Sequence, residues 1–178
     1  MQSPSIRALV VYESMWGNTE QVARAVAAGL AESAEVQVVE VADAPAVPGA
    51  DVDLVVAGGP THAFSMTRAS TRADAVKQGA PHPADAIGLR EWLGRLPTGH
   101  QTTTVAAFDT RVTKVRHVPG SAARSAARAA RRHGYESASP PHSFYVSDIS
   151  GPLLEGELDR AREWGRELAG QIATPVGG

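Results

Sequence analysis

Five apolar runs recur along the chain, and each is bounded by residues that favour turns. Most positions within a run are apolar, which is typical of strands covered on both faces in a parallel sheet. The five predicted strands are IRALVVY (6–12), EVQVVEV (35–41), DVDLVVA (51–57), TTTVAAF (102–108) and SFYV (143–146).

Apolar residues recur at helical spacing between these runs, so each strand is predicted to alternate with a helix. The helices are expected from Thr19, over 87–96, over 121–133 with Gly134 as the stop, and after Gly151-Pro152. The last helix is predicted to bury one stripe made of Leu154, Leu158, Ala161, Gly165, Leu168 and Ile172. This alternation predicts an α/β fold, a doubly wound five-stranded parallel sheet with helices on both faces.

Composition narrows the class of protein without naming a function. The 178 residues suit one domain (1–178), with an ordered core expected over about 5–173. A net charge of −2 argues against non-specific nucleic-acid binding, and the absence of cysteine excludes thiol chemistry and thiolate metal sites. The six histidines have no metal-ligand spacing, so no metal is expected. No apolar run approaches a membrane span, and a cytoplasmic location is expected.

Ligands of such sheets bind beyond the carboxyl ends of the strands. The loops after the first, third and fourth strands are therefore candidate site loops. Neither a G-x-G-x-x-G nor a G-x-x-x-x-G-K-[ST] motif follows the first strand. The segment 61–85 is long and polar, and its sequence leaves open a lid, a dimer contact or a loop with its own helix.

The loop after the first strand has the chemistry of a neutral anion site. Ser14 and Thr19 offer hydroxyl groups, Asn18 offers an amide, and Gly17 lets the backbone approach a ligand. The N–H groups of the following helix start would favour an anion. Because the loop holds no Lys or Arg, a phosphate monoester is the predicted ligand.

Three stretches resemble the flavodoxin family. SMWGNTE (14–20) is similar to the flavodoxin phosphate loop, and VDLVVAGGPTHAF (52–64) resembles the third strand with its flavin loop. SFYVSDISGPLLEGELDRAREWG (143–165) is similar to the last strand and helix. The resemblance implies a flavodoxin-like fold and noncovalently bound FMN, which carries out electron transfer or flavin-dependent oxidoreduction. The implied cofactor-binding residues are Ser14, Met15, Trp16, Gly17, Asn18, Thr19, Pro60, Thr61, His62, Ala63, Phe64, Phe108, Asp109, Thr110 and Arg111.

Some positions depart from the family pattern and leave alternatives open. Trp16 stands where flavodoxins prefer Thr, and its ring could pack over the ribityl chain, stack near the flavin or partly fill the site. Phe108 could flank the flavin or end its strand in the core, and Arg111 could raise the flavin potential or lie in solvent. No side chain is a convincing acid–base catalyst, although His62 is a candidate proton donor.

The near-neutral charge also leaves the function open, because flavodoxins that carry electrons are strongly acidic. Arg124, Arg128 and Arg131 share one helix face, which is either a solvated face or part of a specialised partner site. The expected partner is a redox protein or a small-molecule electron acceptor. The alternatives are an FMN-dependent oxidoreductase of the quinone or porphyrinogen type, and a flavodoxin-fold binding or regulatory module with weak or lost FMN binding.

Overall fold

One parallel sheet organises the computed structural model, which describes residues 5–83 and 85–173. Its strands are β1 (Ile6–Tyr12), β2 (Ala34–Glu40), β3 (Leu54–Pro60), β4 (Thr104–Val112), β5 (Glu136–Ser137) and β6 (His142–Val146). The order is β2-β1-β3-β4, and β5 and β6 both pair with β4. Residues 1–4 and 174–178, which the sequence predicts to flank the ordered core, lie outside the described residues.

The outer edge of the sheet is one strand position split into two pieces. β5 pairs with the start of β4 at Thr104 and Val105, and β6 pairs with the end of β4 from Phe108 to Val112. The interruption contains Pro140 and Pro141, which have no N–H to donate to a neighbouring strand. Counted by position, the sheet has five strands in the order 2-1-3-4-5, which confirms the predicted α/β architecture.

Helices cover both faces of the sheet. They are α1 (Asn18–Leu30), α2 (Ala69–Lys77), α3 (Leu89–Gly94), α4 (Ala122–Arg132) and α5 (Glu157–Ala173). One core lies between the sheet, α1 and α5, and a second lies between the sheet, α3 and α4. Successive residues of β1 enter different cores, because strand side chains alternate between the two faces. Within the described residues, no helix is long and apolar enough to cross a membrane.

The buried stripe of α5 is shifted from the predicted one. Leu154 precedes the helix, and Leu158 is 41% exposed. Glu157 is buried instead, because its carboxylate accepts the backbone N–H of Tyr145 at 2.7 Å and pairs with Arg160 at 2.8 Å. Of the rest of the predicted stripe, Ala161, Gly165 and Leu168 are buried and Ile172 is half-buried, and Trp164 is buried beside them.

Candidate functional site

A cleft of about 240 Å³ lies beyond the carboxyl ends of β1, β3 and β4. The three predicted site loops all contribute to it, as the topology requires. Eleven of the predicted residues line it, namely Ser14, Met15, Trp16, Asn18, Thr19, Pro60, Thr61, His62, Ala63, Thr110 and Arg111. Gly17, Phe64, Phe108 and Asp109 are not in its lining. The sequence analysis missed Thr71, Asp74, Ala75, Gln78, Val112, Val146 and Ile149.

The start of α1 is open toward this cleft. Gly17 precedes the helix with φ of 92°, a left-handed conformation that favours glycine, and no side chain caps the helix. The Gly17 N–H donates to Ser14 Oγ at 3.0 Å, and the first helical bond joins Gln21 N–H to Gly17 O. The first-turn N–H groups and the helix dipole therefore favour an anion at this end.

Two neutral side chains are fixed beside the open helix start. Thr19 Oγ1 lies 2.7 Å from Thr110 Oγ1, so a buried hydrogen bond joins the loop after β1 to the end of β4. The Asn18 amide faces Gly151, where the backbone comes so close that a β-carbon would overlap the amide oxygen. Both residues are buried yet line the cleft, so their polar groups are held in place before any ligand arrives.

Trp16 belongs to the cleft wall that α2 forms. Trp16 is partly buried and, like Val76, packs against a small cluster formed by Met15, Ala75 and Ala80. The sequence analysis did not foresee this packing, because it could not place α2. The indole Nε1 is buried without a hydrogen-bond partner among the described residues.

The long segment after β3 contains α2, which resolves the part of 61–85 that the structure describes into a helix with flanking loops. Thr71, Asp74, Ala75 and Gln78 line the cleft, and their spacing places them on one face of α2. This spacing was the one sequence signal that could have revealed α2 as a cleft wall. It went unused because the face is mostly polar and shows no apolar periodicity. The fourth wall of the cleft therefore escaped sequence analysis.

A buried polar network holds α2 against α3. Arg72 donates to Glu91 at 2.7 Å and to Thr67 Oγ1 at 2.8 Å. Thr67 in turn donates to Glu13 at 2.5 Å, and the Leu89 N–H donates to the same carboxylate at 2.7 Å. Burial raises the pKa of Glu13, while these hydrogen bonds oppose the increase.

His62 is a neutral group at the cleft under near-neutral conditions. Burial lowers the pKa of its imidazole, and the positive charge of Arg72 lowers it further. The backbone N–H and C=O of His62 bond to the backbone of Ser65 across a turn. Within this turn, Ala63 and Phe64 have positive φ values of 47° and 62°. Such φ values are uncommon for these residues and tend to occur at functional sites. Phe64 is 46% exposed beside this turn.

The stretch 108–111 is part of β4, whereas the sequence predicted a loop after Phe108. Pairing with β6 extends the strand to Val112. The structure places Phe108 fully in the core, where it makes edge-to-face contacts with Phe144 and Trp164 at 6.0 and 6.1 Å. A β-carbon at Gly58 would overlap its ring, so glycine there makes room for it. Of the two positions that the sequence left open for Phe108, beside the flavin or in the core, the structure shows the core position.

Asp109 and Arg111 are buried on either side of the cleft-lining Thr110. Asp109 accepts the Ala123 N–H at 2.9 Å, and burial raises its pKa. Arg111 lines the cleft, is 7% exposed and donates to the carbonyl oxygens of Val115 and Val118 at 2.7 and 3.1 Å. Its Nε is buried without a partner, and it forms no ion pair with a described residue. A positive charge therefore lies at the cleft rather than in solvent.

Comparison with known proteins agrees with this geometry. The flavodoxin family model matches residues 10–77, from β1 to the end of α2. Among curated proteins, none matches the chain. A flavodoxin from the domain Archaea is 19% identical, with a TM-score of 0.65 over 95% of this chain and all of its own (100%). A flavodoxin from Streptococcus pneumoniae TIGR4 is also 19% identical, with a TM-score of 0.62 over 93% of this chain and 99% of its own.

A WrbA-like flavodoxin from Agrobacterium tumefaciens is 18% identical, with a TM-score of 0.56 over 95% of this chain and 98% of its own. At these identities the solved structures show the shared fold, and the family model adds a sequence match over the loops after β1 and β3. The chain therefore has a flavodoxin-like fold, and its residues 10–77 resemble the flavodoxin family in sequence.

Proposed function

We propose that the protein binds FMN in the cleft and exchanges electrons through it. The observation that carries the proposal is the uncapped start of α1, which opens into the cleft beside the side chains of Ser14, Asn18 and Thr19. Several N–H and hydroxyl donors at one helix start suit a phosphate monoester. The segment 14–19 would hold the phosphate, and the segments 60–63 and 110–111 would hold the flavin ring. FMN supplies one- or two-electron transfer when bound.

The chain's own charges tune such a site. Arg111 places a buried positive charge at the cleft, which favours an electron-rich ligand over its neutral form. His62 is held neutral by burial and by Arg72, so it contributes a hydrogen-bonding group rather than a second charge. The cleft is therefore electrostatically suited to a group that gains negative charge on reduction.

A second function within the same class is oxidation or reduction of a small molecule beside the flavin. The observation that favours it is the polar wall of Thr71, Asp74 and Gln78, which adds hydrogen-bonding groups away from the start of α1. A loss of FMN binding has less support, because the bulky Trp16 ring packs on α2.

FMN titration tests the proposal directly. We expect FMN fluorescence to be quenched on binding, with FMN bound more tightly than riboflavin. Thr19→Ala should weaken FMN binding about tenfold and riboflavin binding much less, because a lost hydrogen bond to a charged phosphate costs about 1.5 kcal/mol and acts on the phosphate end. Asn18→Ala should have the same selectivity.

The controls separate the phosphate site from the fold. Thr19→Ser keeps the hydroxyl and should retain most of the FMN affinity, whereas Gln78→Ala at the opposite wall should change FMN and riboflavin binding equally. Equal losses of both ligands in Thr19→Ala would move the phosphate away from α1. No FMN binding at high micromolar concentration would end the proposal.

A further inference from the structure

Positive charge is concentrated in one stretch of the chain. Residues 110–135 contain seven of the 17 Lys and Arg residues and none of the 19 Asp and Glu residues. The rest of the chain therefore has ten cations against 19 anions. The net charge of −2 conceals a strongly basic segment on an acidic protein.

The exposed cations of this segment have no acidic partner among the described residues, whereas five of the seven other exposed arginines do. We define the cationic face as Lys114, Arg116, Arg124, Arg128, Arg131 and Arg132, all of which are exposed. Among the described residues, none of the six forms an ion pair. By contrast, Arg7, Arg24, Arg160, Arg162 and Arg166 each pair with a carboxylate.

The cationic face is built on a rigid support. α4 packs on the sheet through small residues, since Ala122, Ala123, Ala126, Ala127 and Ala130 are its buried positions. Its arginines therefore project from the opposite side of a helix held close to the sheet. Arg124, Arg128 and Arg131 follow one another along about 10 Å of that side.

One end of the cationic face adjoins the cleft. Arg111, which lines the cleft, holds the carbonyl oxygens of Val115 and Val118, so it fixes the loop that carries Lys114 and Arg116. The Ala122 N–H donates to Thr61 Oγ1 at 2.9 Å, which ties the start of α4 to the loop after β3. On these same loops, Phe64 and Val118 are 46% and 39% exposed.

We propose that the cationic face docks an acidic protein that exchanges electrons with the cleft. This inference rests on the proposed function and names the partner class of that same site. Unpaired cations steer an acidic surface during encounter, and the exposed side chains of Phe64 and Val118 on the adjoining loops supply apolar contact area. A long polyanion such as DNA fits less well, because the row of Arg124, Arg128 and Arg131 is short and the rest of the chain is acidic.

Binding to immobilised probes tests the proposal with or without FMN. The probes are an acidic [2Fe–2S] ferredoxin, a basic cytochrome c and a 20-base-pair DNA duplex, each at 20 and 300 mM NaCl. We expect only the ferredoxin to bind, and only at low salt. The triple variant Arg124→Gln, Arg128→Gln, Arg131→Gln should weaken this binding about tenfold at 20 mM NaCl.

Two control variants isolate the face from net charge and from folding. Arg7→Gln, Arg24→Gln, Arg166→Gln changes the net charge equally on cations outside the face, and its binding should stay within about twofold of wild type. The triple variant Arg124→Lys, Arg128→Lys, Arg131→Lys keeps the charge and should retain binding. The rate at which reduced ferredoxin reduces the FMN-loaded protein should fall in parallel with binding.

Several results would overturn the proposal. Equal losses of ferredoxin binding in the two glutamine variants would do so, as would unchanged binding in the Arg124, Arg128 and Arg131 variant. So would an absence of ferredoxin binding at low salt, or DNA binding as tight as ferredoxin binding. Failure of FMN to bind would instead remove the proposed function and silence the electron-transfer rate. The probe-binding measurements would still decide whether the face selects acidic proteins.

Discussion

Helices α1 and α4 both begin at the carboxyl edge of the sheet, but they satisfy their first N–H groups in opposite ways. At α4 the protein supplies the acceptors, because Thr61, Asp109 and Ser121 accept the N–H groups of three successive residues. At α1 no side chain caps the helix, and Gly17 turns the chain into it in a left-handed conformation.

The difference supports the start of α1, rather than that of α4, as the proposed anion site. A helix start whose donors are already bonded has little left to offer a ligand, and the buried Asp109 carboxylate at α4 would repel a phosphate. The donors of α1 face a cleft lined by hydroxyl and amide groups instead. Two helix starts at the same edge of the sheet thus differ, one bonded within the protein and one suited to binding.

The largest expected effect comes from removing the internal acceptor at α4. Asp109→Ala should lower the free energy of unfolding by about 3 kcal/mol, because it leaves a buried N–H unbonded and the buried Arg111 without a nearby negative charge. Urea unfolding measures this loss. Asp109→Asn keeps an acceptor oxygen and should lose less. A loss below about 1 kcal/mol in Asp109→Ala would show that this carboxylate does not secure α4.

Next in size is the effect of the cleft charge on the bound cofactor. Arg111→Gln should lower the FMN reduction potential by on the order of 50 mV, because a positive charge at the cleft stabilises the more negative reduced form. Redox titration of the FMN-loaded protein measures it. Arg95→Gln, which removes an exposed cation at the end of α3, should leave the potential unchanged. A potential that does not move in Arg111→Gln would separate this guanidinium from the flavin.

A matched pair of serine variants compares the two helix starts directly. Ser121→Ala should cost about 1 kcal/mol of stability and leave FMN affinity unchanged, because its hydroxyl caps α4. Ser14→Ala should weaken FMN more than riboflavin, because its hydroxyl lies in the cleft beside α1. Urea unfolding and fluorescence titration measure the two effects. If both variants changed only stability, the contrast between the helix starts would have no bearing on ligand binding.

The smallest effect concerns Glu13, which bonds the first N–H of α3. Because burial raises its pKa above the ordinary 4.5, the folded protein holds this proton more tightly than the unfolded chain does. The resulting stabilisation is fully present below about pH 4.5 and is lost as pH rises through the folded-state pKa. Unfolding measured from pH 4 to 7 should therefore show Glu13→Gln gaining stability relative to wild type. A constant difference across this range would contradict the prediction.

Local sequence was sufficient for most elements of the fold. β1 has the predicted bounds, and β2, β3, β4 and β6 and the helices α1, α3 and α4 lie within a few residues of theirs, whereas the two-residue β5 was not predicted. Apolar runs and helical spacing report burial directly, so they identify elements that pack on both faces of the sheet. The polar helix α2 carries no such signal, because the face that it presents to the cleft bears hydroxyl, carboxylate and amide groups.

By itself the sequence determined the order of strands and helices and the open loop from Ser14 to Thr19, because apolar spacing and a short polar turn are local properties of the chain. Tertiary structure decided that Asp109 and Arg111 lie in a strand, that Phe108 is in the core, and that Trp16 packs on α2. Each of these outcomes depends on a partner distant in the chain. The role of a polar residue therefore followed from which donors, acceptors and charges the fold brought beside it.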